Sequence, residues 1–198
     1  MRNTFLIVFF ASCAFAAFHT DSVSSEVPKS IDASRNRQTL EILSKIPDEK
    51  LEQAIVEYVE TRIAGRDKQE RQIVAKLSPG IQALYITWWL EAEVNNGGFN
   101  QYYWNSAGQF ADAAPAAFDY FGARQHAALM REANTIRGVE SAAMQKFKVQ
   151  GSIGAFSASY EESKLDPLDT RYYKLTENLS ALRIARIRAH PEDFLGSP

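Results

Sequence analysis

Leu84–Ser106 reads LYITWWLEAEVNNGGFNQYYWNS and holds all three tryptophans of the chain and three of its eight tyrosines. Its first half has the spacing of a helix. On a wheel of about 100° per residue, Ile81, Tyr85, Trp88, Ala92 and Asn95 all fall within about 100° of Leu84. That stripe is wide enough to face a core. Glu91 lies inside it with Asn95 one turn further on, while Glu93 points the other way, toward water. Asn96-Gly97-Gly98 suits a left-handed helix stop, because glycine reaches positive φ without steric penalty. Phe99–Asn105 then reads as a second short helix, whose first N–H groups lack intrahelical acceptors.

A carboxylate on a core-facing stripe needs partners, since burying it unpaired is very costly. Two readings satisfy that need. In the first, Glu91 and Asn95 brace the corner, with Glu91 accepting from the free N–H groups of the second helix. In the second, Trp88, Glu91, Asn95, Asn96, Gly97, Gly98, Phe99, Asn100, Gln101, Tyr102 and Trp104 line a pocket or a partner surface. The two can coexist.

Upstream, Ser78-Pro79 starts this helix, with Ser78 as N-cap and Pro79 in the first position. Before it, Pro47 with Asp48 and Glu49 opens a helix whose apolar face is Leu51, Ile55, Tyr58, Val59 and Ile63, closed by Gly65. Glu52, Glu57 and Glu60 read as its solvated face, interrupted by Lys50, Arg62 and Arg66. Thr39–Lys45 supplies a first helix or helical turn.

Downstream, Ala111–Phe121 is helical and ends at Gly122, and Ala123–Ile136 follows as its antiparallel neighbour. Residues 138–154 are ambiguous, with a helical middle at Glu140–Phe147 and a flexible loop at Gly151, Ser152 and Gly154. A turn at Leu165–Asp169 leads into a last helix over Thr170–Ala189, ended by Pro191. On that helix Arg183 and Arg186 lie on the side of Leu179. Either their stems pack while their heads reach water, or one of them pairs with Glu91. No alternating strand of four or more residues is present, so the fold class is all-α: one compact multi-helix domain over 38–195.

The amino terminus differs. Arg2, the apolar run Phe5–Ala11 and the small residues Ser12–Ala17 have the order of a secretory signal over 1–17. The run is shorter than the roughly 20 residues that a membrane-spanning helix needs. Cys13, the single cysteine, follows Ala11-Ser12 in an arrangement close to a lipoprotein signal. An ordinary cleavage after Ala16 or Ala17 and a lipid anchor at Cys13 are thus both open. The Ser- and Asp-rich residues 18–37 form a flexible tether. The expected location is exported, periplasmic or secreted, with the membrane reached only through that anchor.

The charges are balanced, 22 basic against 24 acidic with a net of -2, which argues against direct nucleic-acid binding. His19, His126 and His190 have no partner at metal-ligand spacing, and there is no G-x-S-x-G and no phosphate-cradling glycine loop. No metal, cofactor or catalytic residue is nominated. A hydrolase-like enzyme using Glu91 is the remaining catalytic alternative.

The run from Leu84 through Trp88-Trp89-Leu-Glu91-Ala-Glu93-Val-Asn95-Asn96-Gly97-Gly98-Phe99 to Gly108 resembles the central signature of the bacterial DNA-mimic protein family. Leu168-Asp-Thr-Arg-Tyr172-Tyr173 fits its later segment, and Arg188-Ala-His190-Pro191-Glu-Asp-Phe194 resembles its closing motif. The resemblance implies an all-helical fold over about Gln38–Leu195, binding to a DNA-binding protein in place of DNA and, by analogy, a homodimer. The chain departs from mimicry in its balanced charge and in Arg171, Lys174, Arg183, Arg186 and Arg188, set against Glu177 alone. The leading expectation is therefore an exported, non-enzymatic domain that binds a protein or small ligand around the Asn95–Gly98 corner. A cytoplasmic regulator-binding mimic stands second.

Overall fold

The structure, a computed structural model, describes residues 29–195. The segment read as a secretory signal, Cys13 and the first part of the expected tether lie outside the described residues. Helix α1 (Lys29–Lys45) begins within the segment 18–37. Helix α2 (Asp48–Ile63) starts after Pro47, with Asp48 and Glu49 in its first turn, where acids suit the positive helix end. A short 3-10 turn leads through α3 (Glu70–Val74) to the central helix α4 (Pro79–Trp104).

Around α4 the other helices are wrapped. It packs against α2 on one flank. On the other it meets a 3-10 turn at Ser106–Phe110 and α5 (Ala114–Tyr120). Helix α6 (Arg124–Gln150) lies on α5, and α7 (Ile153–Glu162) folds back on α6. Helix α8 (Asp166–Tyr172) returns to α4, α9 (Leu179–Ala189) lies on α2, and a 3-10 turn at Pro191–Phe194 closes the fold. Among the described residues there is no strand, as the absence of alternation requires.

One core runs through these layers. Leu51, Ile55 and Val59 of α2 meet Ile81, Leu84, Leu90 and Val94 of α4, with Phe118, Met130, Leu168 and Ile187 around them. A smaller cluster of Met144, Phe147 and Ala155 sits apart between α6 and α7, with Trp104 against it. The start of α4 is pinned by the end of the chain. A Cβ at Gly80 would stand 2.6 Å from the Asp193 carbonyl and 2.9 Å from the Phe194 ring, so only glycine lets that turn lie so close.

Four local expectations need correction. Ser78 is the residue before α4, but its hydroxyl is buried without a partner, and the neighbouring Leu77 carbonyl accepts from Gln82 Nε2 at 2.6 Å instead. The final helix is two elements. Asn178 starts α9 by accepting from Ala181 N at 3.0 Å, and asparagine favours such a cap over a helix interior. Helix α6 runs unbroken through Gly138, because Glu140, Met144 and Phe147 continue its buried face, outweighing a glycine cost of about 1 kcal/mol. The loop expected at 151–154 is a tight junction: Gly151, at φ 61°, ends α6, and Ser152 Oγ accepts from Ala155 N at 3.1 Å to begin α7.

Candidate functional site

The corner forms where α4 breaks at Gly97 (φ -160°, ψ 29°) and Gly98 (φ 73°, ψ -177°). The Gly98 conformation is closed to residues with a Cβ. Breaking a helix strands carbonyls on one side and N–H groups on the other. Here other helices satisfy them. The Tyr173 hydroxyl donates to the Val94 carbonyl at 2.8 Å, the Tyr160 hydroxyl donates to the Gly97 carbonyl, and Phe99 N donates to Asp169 Oδ1 at 2.7 Å. A Cβ on Gly98 would stand 2.1 Å from Asp169 Oδ2, so the glycine also makes room for its own cap.

Glu91 takes no part in this. It accepts from Arg183 Nη2 at 2.7 Å, so the pairing with an α9 arginine forms and the brace by Glu91 does not. The Arg183 side chain is 1% exposed and also donates to Glu52 Oε1 at 2.9 Å, Thr87 Oγ1 at 3.1 Å and the Thr87 carbonyl at 3.2 Å. Glu52 is thus a buried-pair partner and not part of a solvated face. Glu60 is exposed, as expected of that face, and accepts from Trp89 Nε1 at 3.1 Å. The acid that spans the break is Glu93, which accepts from Gln101 Nε2 at 2.7 Å and Asn105 Nδ2 at 2.8 Å. A longer reach across the corner favours the acid on the outer face, since the inner one is claimed by a guanidinium.

Between the corner and helices α7 and α8 lies an open cleft of about 630 Å³. Asn95, Asn96, Gly97, Gly98 and Gln101 line one side of it. Facing them are Ile153, Phe156, Ser157 and Tyr160 of α7, then Asp166, Asp169 and Tyr173. Asn95 is exposed and belongs to the cleft, because the stripe it sits on leaves the core at the last turn before the break.

Trp88, Glu91, Phe99, Tyr102 and Trp104 do not line the cleft. Phe99 packs edge-on against Tyr172 with centroids 5.9 Å apart, and Tyr102 lies 5.1 Å from Tyr103, both in the core. Trp88 meets Trp89 edge-on at 5.1 Å, and Trp104 meets Phe156 at 5.1 Å behind the cleft wall. Asn100 is buried and donates to Ser159 Oγ at 2.8 Å. The cleft residues that sequence reasoning missed, Ile153, Phe156, Ser157, Tyr160, Asp166, Asp169 and Tyr173, lie about 55 or more positions beyond the corner. Their one signal is the Leu168–Tyr173 segment, which names Asp169 and Tyr173 without saying what they touch.

The cleft is electronegative. Burial pushes the Asp169 carboxyl up, the Phe99 N–H opposes this, and the neighbouring Asp166 charge adds to it. Burial and then the Asp169 charge raise Tyr173 and Tyr160 as well. A second concavity of about 480 Å³ lies between α1 and α2, walled by Ile42, Leu43, Ile46 and Ile55; none of the nominated residues borders it. Among the described residues no three His, Cys, Asp or Glu side chains are grouped to hold a metal ion. His126 is buried against Glu177 Oε2 at 2.8 Å, and its backbone N–H donates to the same carboxylate.

Residues 75–190 match the family model described as DMP19-like protein. The matched span takes in α4 with its corner and every residue lining the cleft. No curated protein and no solved structure matches the chain.

Proposed function

The chain belongs to the DMP19-like protein family, a DNA-mimic family, and from that premise we propose that it is an exported, non-enzymatic module that docks a protein partner at the Asn95–Gly98 cleft. The observation that carries this is the cleft itself. Its volume falls among those of ligand sites, roughly 300–1,000 Å³, and its rim includes Ile153 and Tyr173, large side chains left 64% and 58% exposed. Exposed apolar side chains beside a concavity support docking there. Export is supported by Arg2, Phe5–Ala11 and the small residues that follow.

The test uses the full chain, expressed with a carboxy-terminal tag and crosslinked in cells. Wild type and Val139→Asp, which alters an exposed valine on α6 away from the cleft, should capture the same protein, and Ile153→Asp should lose it. Capture indifferent to Ile153→Asp would remove the cleft from the function. Sequencing the mature amino terminus decides export: a retained Met1 would overturn it, and a start at modified Cys13 would identify the lipid route.

Docking of a DNA-binding regulator in place of DNA is the second reading. The family relation favours it, and so does the fate of the α9 arginines. Arg183 is buried, while Arg186 is held by Asp193 at 3.0 Å and Arg188 by Asp48 at 2.7 Å, so the basic run is not an open cationic face. This reading needs a cytoplasmic protein, and the same terminal sequencing separates it from the first.

A further inference from the structure

Resting on the docking reading above, we propose that the cleft receives the guanidinium of an arginine side chain on the partner. Among the described residues lining it, Asp166 and Asp169 are carboxylates and none is basic. Several acids elsewhere on the molecule have cations beside them. Glu52 and Glu91 share Arg183, Glu132 holds Arg171 at 2.6 Å, and Glu162 holds Lys146 at 2.9 Å. Arg171, two residues from Asp169, is therefore turned away from the cleft. Asp169 has one oxygen occupied by Phe99 N, and no donor side chain among the described residues reaches Oδ2. A half-buried carboxylate with a second acid beside it is the arrangement that an incoming cation relieves.

The rest of the lining selects among cations. Tyr160 and Tyr173 have already committed their hydroxyl protons to the Gly97 and Val94 carbonyls, so what they offer a ligand is ring surface and acceptor oxygens, together with the Phe156 ring. A guanidinium is flat and weakly hydrated, stacks on aromatic faces and forks onto carboxylates; an ammonium is a compact, strongly hydrated point charge. The exposed side-chain carbonyls of Asn95 and Asn96 supply further acceptors for its five N–H groups. An anion would meet two carboxylates and be repelled.

The experiment titrates the purified full chain with the blocked peptide Ac-Gly-Arg-Gly-NH2, following backbone amide NMR shifts and repeating with citrulline and lysine in the central position. Shifts should gather at Asn95–Gly98, Tyr160 and Asp169. The arginine peptide should bind about tenfold more tightly than the citrulline peptide, since citrulline keeps the shape and loses the charge. Asp166→Asn should weaken binding about fivefold. Asp169→Asn, which keeps an oxygen for Phe99 N, should do the same, and Glu162→Gln, outside the cleft, should change nothing. Equal binding of arginine and citrulline, equal binding of arginine and lysine, or no shift at the cleft would each overturn the guanidinium assignment. None of those results touches the docking reading, which stands or falls on capture by the Ile153→Asp chain.

Discussion

Arg183 is the largest of the fully buried side chains, and its guanidinium is held by two carboxylates and both oxygens of Thr87. Removing one member of a buried ion network leaves the others desolvated and uncompensated. We expect Arg183→Met to cost about 3–5 kcal/mol in urea unfolding. Glu91→Gln keeps an oxygen for Nη2 and should cost only about 1 kcal/mol. The wheel position of Arg183 disclosed that it faces the core, and Glu91 was visible as one partner. Glu52 was not, because it stands in a run with Glu57 and Glu60 that has the spacing of a wet face. At the corner, Gly98→Ala should destabilise by about 1–3 kcal/mol from backbone strain alone. The added methyl also meets Asp169 Oδ2, so pairing it with Asp169→Ala should give a loss smaller than the sum, by on the order of 1 kcal/mol in a double-mutant cycle.

Ser152 and Asn178 cap α7 and α9 locally, but other helix ends are finished by side chains from distant elements. Asp169 caps Phe99, Glu140 Oε1 accepts from Lys164 N at 2.7 Å beyond α7, and Glu177 accepts from Gln125 N at 2.9 Å and His126 N at 3.1 Å to open α6. This explains which part of the secondary structure could be read. Glycine stops and prolines show in the sequence; a polar cap inside a periodic run, such as Asn178, is masked by the pattern around it, and a cap some 50 residues away leaves no local trace. The pH behaviour follows the same contacts. Burial alone would raise Glu177, but the Gln125 N–H, the His126 ring and the His126 N–H outweigh it and hold the carboxyl below its usual 4.5. Its folded value is depressed, so its contribution is complete above pH 4.5 and is lost as the pH falls through the folded value. Unfolding midpoints measured across that window should decline for wild type and decline less for Glu177→Gln. Asp169 has the opposite sign: its folded value is raised, so acidification favours the fold at that site, and Asp169→Asn should abolish that component.

At the scale of the molecule, the main core and the Met144–Phe147–Ala155 cluster are separate bodies of apolar contact. Units with fewer buried contacts open at lower free energy. Native-state hydrogen exchange should show residues 139–162 losing protection before 81–94. The all-helical single domain was legible because periodicity reports which face is inward. The cleft was not, because the aromatic stretch that draws the eye is mostly core, and the opposing wall comes from α7 and α8. The α7 part of that wall stands on the smaller body, while α8 and the corner stand on the larger. An occupant lodged between them ties the two together, so protection of amides in 139–162 would rise on occupancy. Deuterium uptake there thus offers a tag-free gauge of binding, usable on crude mixtures before the bound molecule has been identified.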